Sequence, residues 1–220
     1  MTRLLVFSRT TGYRHESIEE GVAALRDLAA EASVDLDHTE SGDAFTSANL
    51  RRYAAVVWLQ SSGTGLLDAD QRQAYEEFTA EGGGYAGVHL ASAAEQDWPL
   101  YDRLVGARFT SHPRELQTAR IQAERTDDPA TKPLPTPWSW HDEWYAFDTN
   151  PRGTVEVLAT VNEDDYDVGS SGMGPDHPIC WRTQVGRAKA WYTSLGHAPV
   201  AYEDETFRAH LWGGVTSVLR

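Results

Sequence analysis

A single cysteine, Cys180, stands among 220 residues. One thiol excludes an intramolecular disulfide and any zinc site built on cysteines. Positive charge is also scarce: 19 Lys and Arg face 33 Asp and Glu, a net charge of −14. A surface of that sign repels phosphate backbones and anionic lipid, so nucleic acid and membranes are excluded as expected partners. The acidity serves solubility and selects no substrate. No stretch approaches the roughly 18 apolar residues of a membrane span. The apolar run within Met1–His15 is too short for a secretion signal, and the expected location is cytoplasmic. No Gly-x-Gly-x-x-Gly is present, and Gly63-Thr-Gly65 is too short to cradle a phosphate. No His-x-x-x-His or Glu-x-x-His pair falls on a helix, so no compact zinc motif is written in the chain. There is no internal repeat and no low-complexity tract. With 40% hydrophobic and 24% charged residues, the chain is an ordinary globular one, read as one domain over 1–220.

Strand and helix patterns alternate along the first 90 residues. Leu4–Ser8 is a short apolar run of the buried-strand type. Ser17 to Glu20 has the spacing of a capping box, and Ile18, Val22, Leu25 and Leu28 follow at helical intervals. Val34–Thr39 alternates as an edge strand. Ala54–Leu59 is continuously apolar, as in a parallel sheet covered on both sides. Asp68 to Gln71 is a second cap, ahead of a helix turning Tyr75 and Phe78 inward, and Gly82–Gly84 stops it. Tyr85–His89 is the next buried strand. This order predicts right-handed βαβ units: an α/β fold with a doubly wound, mostly parallel sheet and helices on both faces. Further on, Trp98–Gly106 reads as a short helix, and Leu116–Ala123, Val155–Val161 and Ala188–Leu195 as strands. Thr126–Pro137 is a proline-rich surface loop, 169–175 a glycine loop, and Glu205–Leu219 a closing helix that turns Phe207, Leu211, Trp212 and Val215 inward.

Six of the eight histidines lie at strand ends or beside aromatic and acidic runs. Ligands in open α/β sheets bind outside the carboxyl ends of the strands. That rule gathers Arg14 and His15, Gln60–Gly63, His89 and His197. His89 sits in Gly84-Tyr-Ala-Gly-Val-His-Leu-Ala91, small residues around a polar side chain at a strand-to-helix turn, as in a nucleophile elbow. A histidine there suits acid–base work or ligand binding; the plain alternative is a buried histidine capping the next helix. His197 is its partner at the same edge. Trp138–Tyr145 shows no simple period. It is either a pocket wall, with Trp140, His141 and Trp144 against a ligand and Glu143 as base, or a cluster packed over the sheet. Asp176 and His177 follow the glycine loop, as a mobile acid and base or as a solvated turn. Glu95 is expected near the pocket mouth. Ser111-His112-Pro113 carries the same two readings, with the solvated turn slightly favoured; His38 and His210 are read as structural or solvated, and Cys180 as an inert core thiol. A divalent metal drawn from His15, His89, His141, His177 or His197 with Glu143 or Asp176 stays open, since three or four ligands must converge.

Seven segments together (TGYRHESI, AVVWLQSSG, GGGYAGVHLASAAEQDWPLYDRLVGARFTSHP, HDEWYAFDTNPRG, VLATVNE, GSSGMGPDHPICW and AWYTSLGH) resemble the ThuA-like family, named for trehalose utilisation. The resemblance covers nearly the whole chain. It implies a class I glutamine amidotransferase-like, flavodoxin-like fold. Amidotransferases of that class carry a cysteine at the elbow and a late histidine followed by a glutamate. Here His89 holds the elbow, and Ala198-Pro199 follows His197, so glutamine hydrolysis through a thioester is excluded. The family resemblance implies handling of a sugar or keto-sugar derived from a disaccharide. A keto-sugar has an acidic proton beside its carbonyl, which an imidazole or carboxylate removes. The expected catalytic set is His89, His197 and Glu143, with Arg14, His15, Glu95, Trp140, His141, Trp144, Asp176 and His177 around the substrate. No cofactor is required by the sequence, although a divalent metal is compatible with it, as is assembly into a homo-oligomer. Two other readings stand beside this one: a non-catalytic sugar-binding or regulatory module, and a metal-dependent hydrolase or lyase.

Overall fold

Residues 2–220 are described by a computed structural model. In chain order the elements are β1 (Arg3–Phe7), α1 (Ile18–Glu31), β2 (Asp35–Thr39), α2 (Ser47–Leu50), β3 (Ala55–Leu59), α3 (Ala69–Ala80), β4 (Gly84–Val88), α4 (Pro99–Val105), β5 (Phe109–Ser111), β6 (Gln117–Ala123), β7 (Trp138–Asp142), β8 (Ala146–Phe147), β9 (Glu156–Val161), β10 (Pro178–Val185), β11 (Ala188–Thr193) and α5 (Glu205–Ser217). Nine strands form one sheet in the order β2-β1-β3-β4-β11-β10-β9-β6-β7; β5 and β8 make a separate ribbon. β2, β1, β3, β4 and β11 pair in parallel. The far half pairs antiparallel, so that β10 and β6 run against the other seven strands.

Alternation explains the two core layers. Along β1, Leu4 and Val6 face one side and Leu5 and Phe7 the other; along β3, Val57 and Leu59 oppose Val56 and Trp58. Successive strand side chains point to opposite faces, so a continuous apolar strand needs cover on both. α1 and α5 supply it on one face, through Val22, Leu25, Leu211 and Val215. α3 and α4 supply it on the other, through Tyr75, Phe78, Tyr101 and Leu104. The doubly wound α/β expectation therefore holds. Trp212 is only half-buried at the margin of this core.

Two local expectations are corrected. α3 begins with the expected capping box: Gln71 N donates to Asp68 Oδ1 (2.9 Å) and Asp68 N to Gln71 Oε1 (3.0 Å), a device worth about 1 kcal/mol. Ser17, with the same spacing, caps nothing. Its hydroxyl donates to the carbonyl of His197 at 2.6 Å, a partner 180 residues away that no local pattern announces. The second correction is β7. Trp138 and Asp142 are buried while Ser139 and His141 are exposed, a period of two that its tryptophans and charged residues disguise. Proline-rich 126–137 is a surface turn segment as expected. No helix among the described residues is long and apolar enough to cross a membrane.

Candidate functional site

The parallel strands β3 and β4 each end in a left-handed residue, Gln60 (φ 52°) and His89 (φ 53°). For residues with a Cβ this costs about 1 kcal/mol or more and persists only where the surroundings enforce it. The glycines of the elbow do not carry the strain. Gly87 is required because a Cβ there would collide with the Tyr85 hydroxyl. The unusual dihedral falls on His89, whose side chain is fully buried at the carboxyl edge of the sheet.

His89 Nδ1 lies 2.6 Å from the carbonyl of Ser194, just beyond β11. A carbonyl only accepts, so Nδ1 carries the proton and the neutral ring keeps its lone pair on Nε2. The Tyr145 hydroxyl donates to that lone pair at 2.7 Å. His15 Nε2 stands 3.2 Å from it, and Glu143 Oε2 3.4 Å. His197 Nδ1 is 3.1 Å from the same Glu143 oxygen. His15, His89, Glu143 and His197 thus each offer a ligand atom within 4.8 Å of all the others. Within this group Glu143 Oε2, His197 Nδ1 and His15 Nδ1 are buried without a hydrogen-bond partner.

Burial, reinforced by His89 and His197, pushes the His15 imidazole down to about 3, so it is neutral at physiological pH. For Glu143, burial would raise the carboxyl, but the His197 and His89 imidazoles beside it outweigh burial and hold it well below the usual range. Burial pulls His197 down, and the Glu143 carboxylate more than reverses it. An anionic carboxylate among imidazoles is the donor set of zinc and other first-row divalent ions. Orphaned buried atoms call for an occupant. On both counts these residues fit a divalent metal.

Backbone hydrogen bonds hold the cluster together. Asp142 is buried at the end of β7 and accepts three of them, and a fourth from the Trp140 indole. Glu143 N (2.9 Å) and His197 N (3.1 Å) reach Oδ1; Trp140 Nε1 (2.9 Å) and Gly196 N (2.8 Å) reach Oδ2. One carboxylate therefore ties the segment bearing Glu143 to the segment bearing His197. Gln60 supports the same loop from behind, donating to Ser17 Oγ, Gly196 O and Tyr202 Oη.

A pocket of about 350 Å³ opens over the cluster, lined by Tyr13, His15, Leu90, Phe109, His112, Glu143 and Tyr145. Sequence reasoning missed Tyr145 and Asp142 and set His112 aside. His112 Nε2 stands 3.6 Å from Glu143 Oε1. Pairing of β5 with β8 brings Phe109 and His112 beside Tyr145, and nothing in two such short segments signals that pairing.

Other expected residues lie outside the pocket. Arg14 forms a two-pronged pair with Glu40 (2.9 and 3.0 Å) at the surface. Glu95 is fully buried and faces away, accepting from Leu67 N and pairing with Arg72. His141 is exposed on β7, against Thr118, because its neighbour Asp142 takes the inward position. Trp140 stacks on Phe207 under the sheet, and Trp144 donates to Gln117 O on the side opposite Glu143 and Tyr145. Asp176 is bound to Arg152 and Asn150. His177 is buried beside Glu163 (2.8 Å) and reaches the site only through its bond to the Tyr145 carbonyl (2.8 Å). Cys180 is buried in β10, its thiol raised by burial, and takes no part.

A ThuA-like protein from Bacteroides uniformis superposes with a TM-score of 0.78 at 22% identity, covering 97% of this chain and 89% of that one. One from Parabacteroides merdae gives 0.78 at 19% identity, over 99% and 89%. A cytoplasmic protein from Salmonella typhimurium gives 0.70 at 10% identity, over the whole of both chains. At these identities the likeness is one of fold. No curated protein matches the chain. The family model described as trehalose utilisation matches residues 3–217, and the chain belongs to the ThuA family.

Proposed function

We propose that this protein is an enzyme of sugar metabolism that acts on a sugar or keto-sugar at a divalent-metal centre formed by His15, His89, Glu143 and His197. The observation that carries the reading is the convergence of three imidazoles and one carboxylate, with buried Glu143 Oε2 and His197 Nδ1 unpartnered. The family's description, trehalose utilisation, supports a sugar as the substrate class. The pocket volume, about 350 Å³, falls within the roughly 300–1,000 Å³ of small-ligand sites. Rings of Tyr13 and Phe109 among its walls offer apolar faces to the C–H side of a sugar.

When bound, the metal supplies a Lewis acid that polarises a substrate carbonyl. The chain's own residues do the rest. His112 stands outside the ligand set, and its Nδ1 donates to the carbonyl of Pro113 at 2.7 Å. Its lone pair is therefore on Nε2, toward the pocket, where it is placed to take the proton beside the carbonyl of a keto-sugar. Enolisation of this kind leads to isomerisation or to elimination of the glycosidic bond.

The test is direct. Elemental analysis of the purified protein is followed by incubation with 3-keto-trehalose, monitoring loss of the keto sugar. A stoichiometric divalent ion is expected, with turnover lost in His112→Ala and in Glu143→Gln. A protein that takes up no divalent ion and leaves the keto sugar unchanged overturns the reading. Saturable sugar binding without turnover makes the protein a binding module instead.

A further inference from the structure

We infer that Tyr145 is a latch on the cluster: its hydroxyl and a divalent cation compete for the one lone pair of His89 Nε2, and the cation, by winning, releases the hydroxyl to donate to a substrate oxygen in the pocket. The inference rests on the metal reading above and goes beyond it, since that reading gives Tyr145 no role.

His89 Nδ1–H is committed to the Ser194 carbonyl (2.6 Å), so the neutral ring has a single acceptor site, Nε2. The Tyr145 hydroxyl holds it at 2.7 Å, a short, well-formed bond. Yet Nε2 is also the atom that faces His15 Nε2 at 3.2 Å and Glu143 Oε2 at 3.4 Å, the ligand position His89 contributes to the group. One lone pair cannot serve both a phenol and a cation.

Geometry keeps the phenol close after it lets go. The Tyr145 and His89 rings stack at 4.4 Å and 27°. The Tyr145 backbone carbonyl is pinned by His177 Nε2 at 2.8 Å, and Phe109 packs on its ring at 4.4 Å. The ring stays, and only the hydroxyl changes partner. Tyr145 is almost wholly buried and its side chain lines the pocket. A buried hydroxyl without an acceptor is costly, so a freed hydroxyl favours a ligand that brings an oxygen.

The experiment titrates the full-length protein with Zn²⁺ alone, in competition with a chromophoric chelator, for wild type and Tyr145→Phe. The variant keeps the stacked ring and loses the competing hydroxyl. Its Zn²⁺ affinity is expected to rise by about threefold to tenfold, the worth of one lost hydrogen bond. Its turnover of 3-keto-trehalose is expected to fall by about 100-fold, as for loss of one positioned donor. Wild type should also show a tyrosine ultraviolet difference signal on Zn²⁺ addition that the variant lacks. This signal tests the latch even if the variant folds poorly. Equal or weaker Zn²⁺ binding by a folded variant, or no difference signal in a wild type that binds Zn²⁺, overturns the latch and leaves the metal reading standing. A wild type that binds no Zn²⁺ overturns both.

Discussion

At the carboxyl ends of β4 and β11 the sheet opens into the 350 Å³ pocket over the histidine cluster. At its other edge, where β9 and β11 begin, lies a larger groove of about 520 Å³ lined by Glu156, Arg182, Gln184, Lys189 and Ser217. By volume and charge the second is the more inviting. Its charges, the exposed Lys189 apart, are nonetheless answered: Arg182 pairs with Glu156 at 2.8 Å and with Asp128 at 2.7 Å, and Arg125 with Glu156 at 2.7 Å. In the smaller pocket Glu143 Oε2, His197 Nδ1 and His15 Nδ1 are buried and make no hydrogen bond, although the first two lie 3.1 Å apart. Buried polar groups in a settled fold find partners. Where several fail to do so side by side, the fold is holding them for something else. Size does not separate the two regions; unsatisfied polarity does.

The sharpest way to break this contrast is Glu143→Gln. It removes the only anion of the cluster while keeping its shape, and Zn²⁺ affinity should fall by at least about 100-fold, measured by chelator competition. Retained affinity would place the ion elsewhere in the molecule. Asp142→Asn comes next. Its oxygens touch no member of the cluster's donor set but accept Glu143 N and His197 N. An amide NH₂ in their place would face backbone N–H groups and push the two segments apart. Zn²⁺ affinity should drop by about 10- to 100-fold, the usual cost of a lost supporting contact. A normal affinity in Asp142→Asn would mean that the loop after β11 is held by Gln60 and Ser17 alone.

That pairing of Asp142 with a loop 54 residues away shows where reading the sequence stops. Strand-end logic gathered His15, His89 and His197, because parallel βαβ order fixes which edge each strand end faces. The acid came from the antiparallel half. β7 lies four places beyond β11 in the sheet, yet Asp142 at its end bonds to Gly196 and His197. Its mixed tryptophans and charges hid the alternation that makes Trp138–Asp142 a strand. Trp140 and Trp144 are attractive as sugar platforms for the same reason, but rings of that size are buried first as core; Trp144 lies there, and Trp140 packs half-buried against its margin. Arg14 and Asp176, read as binding groups, had oppositely charged neighbours in space, Glu40 and Arg152, that sequence distance conceals.

A milder contrast sets His210 against the cluster. His210 is also fully buried, but both its nitrogens are satisfied, by Ala130 O at 2.8 Å and Thr193 Oγ1 at 3.0 Å. Burial holds it neutral, pushed down to about 4. The unfolded chain takes up the proton near 6.5 and the folded one only near 4, so stability falls as pH drops through that window. Between pH 7 and pH 5 the loss from this residue is about 2 kcal/mol. Urea midpoints at the two pH values should show it, and His210→Gln should flatten the slope. An unchanged slope would assign the acid sensitivity to the other imidazoles that burial holds down, His15 (to about 3), His177 and His38.

The smallest effect is expected at Lys189, and it bears on the contrast from the other side. Lys189 is an exposed cation of the large groove with no ion pair among the described residues. It sits on β11, the strand that leads to His197, but at the opposite end. An exposed unpaired lysine contributes little, so Lys189→Gln should shift stability by less than about 0.5 kcal/mol and leave Zn²⁺ affinity and keto-sugar turnover unchanged. If instead it weakened sugar binding while Glu143→Gln did not, the larger groove would be the seat of function. Answered charges would then be the mark of a built site, and the orphaned imidazoles only a badly packed edge.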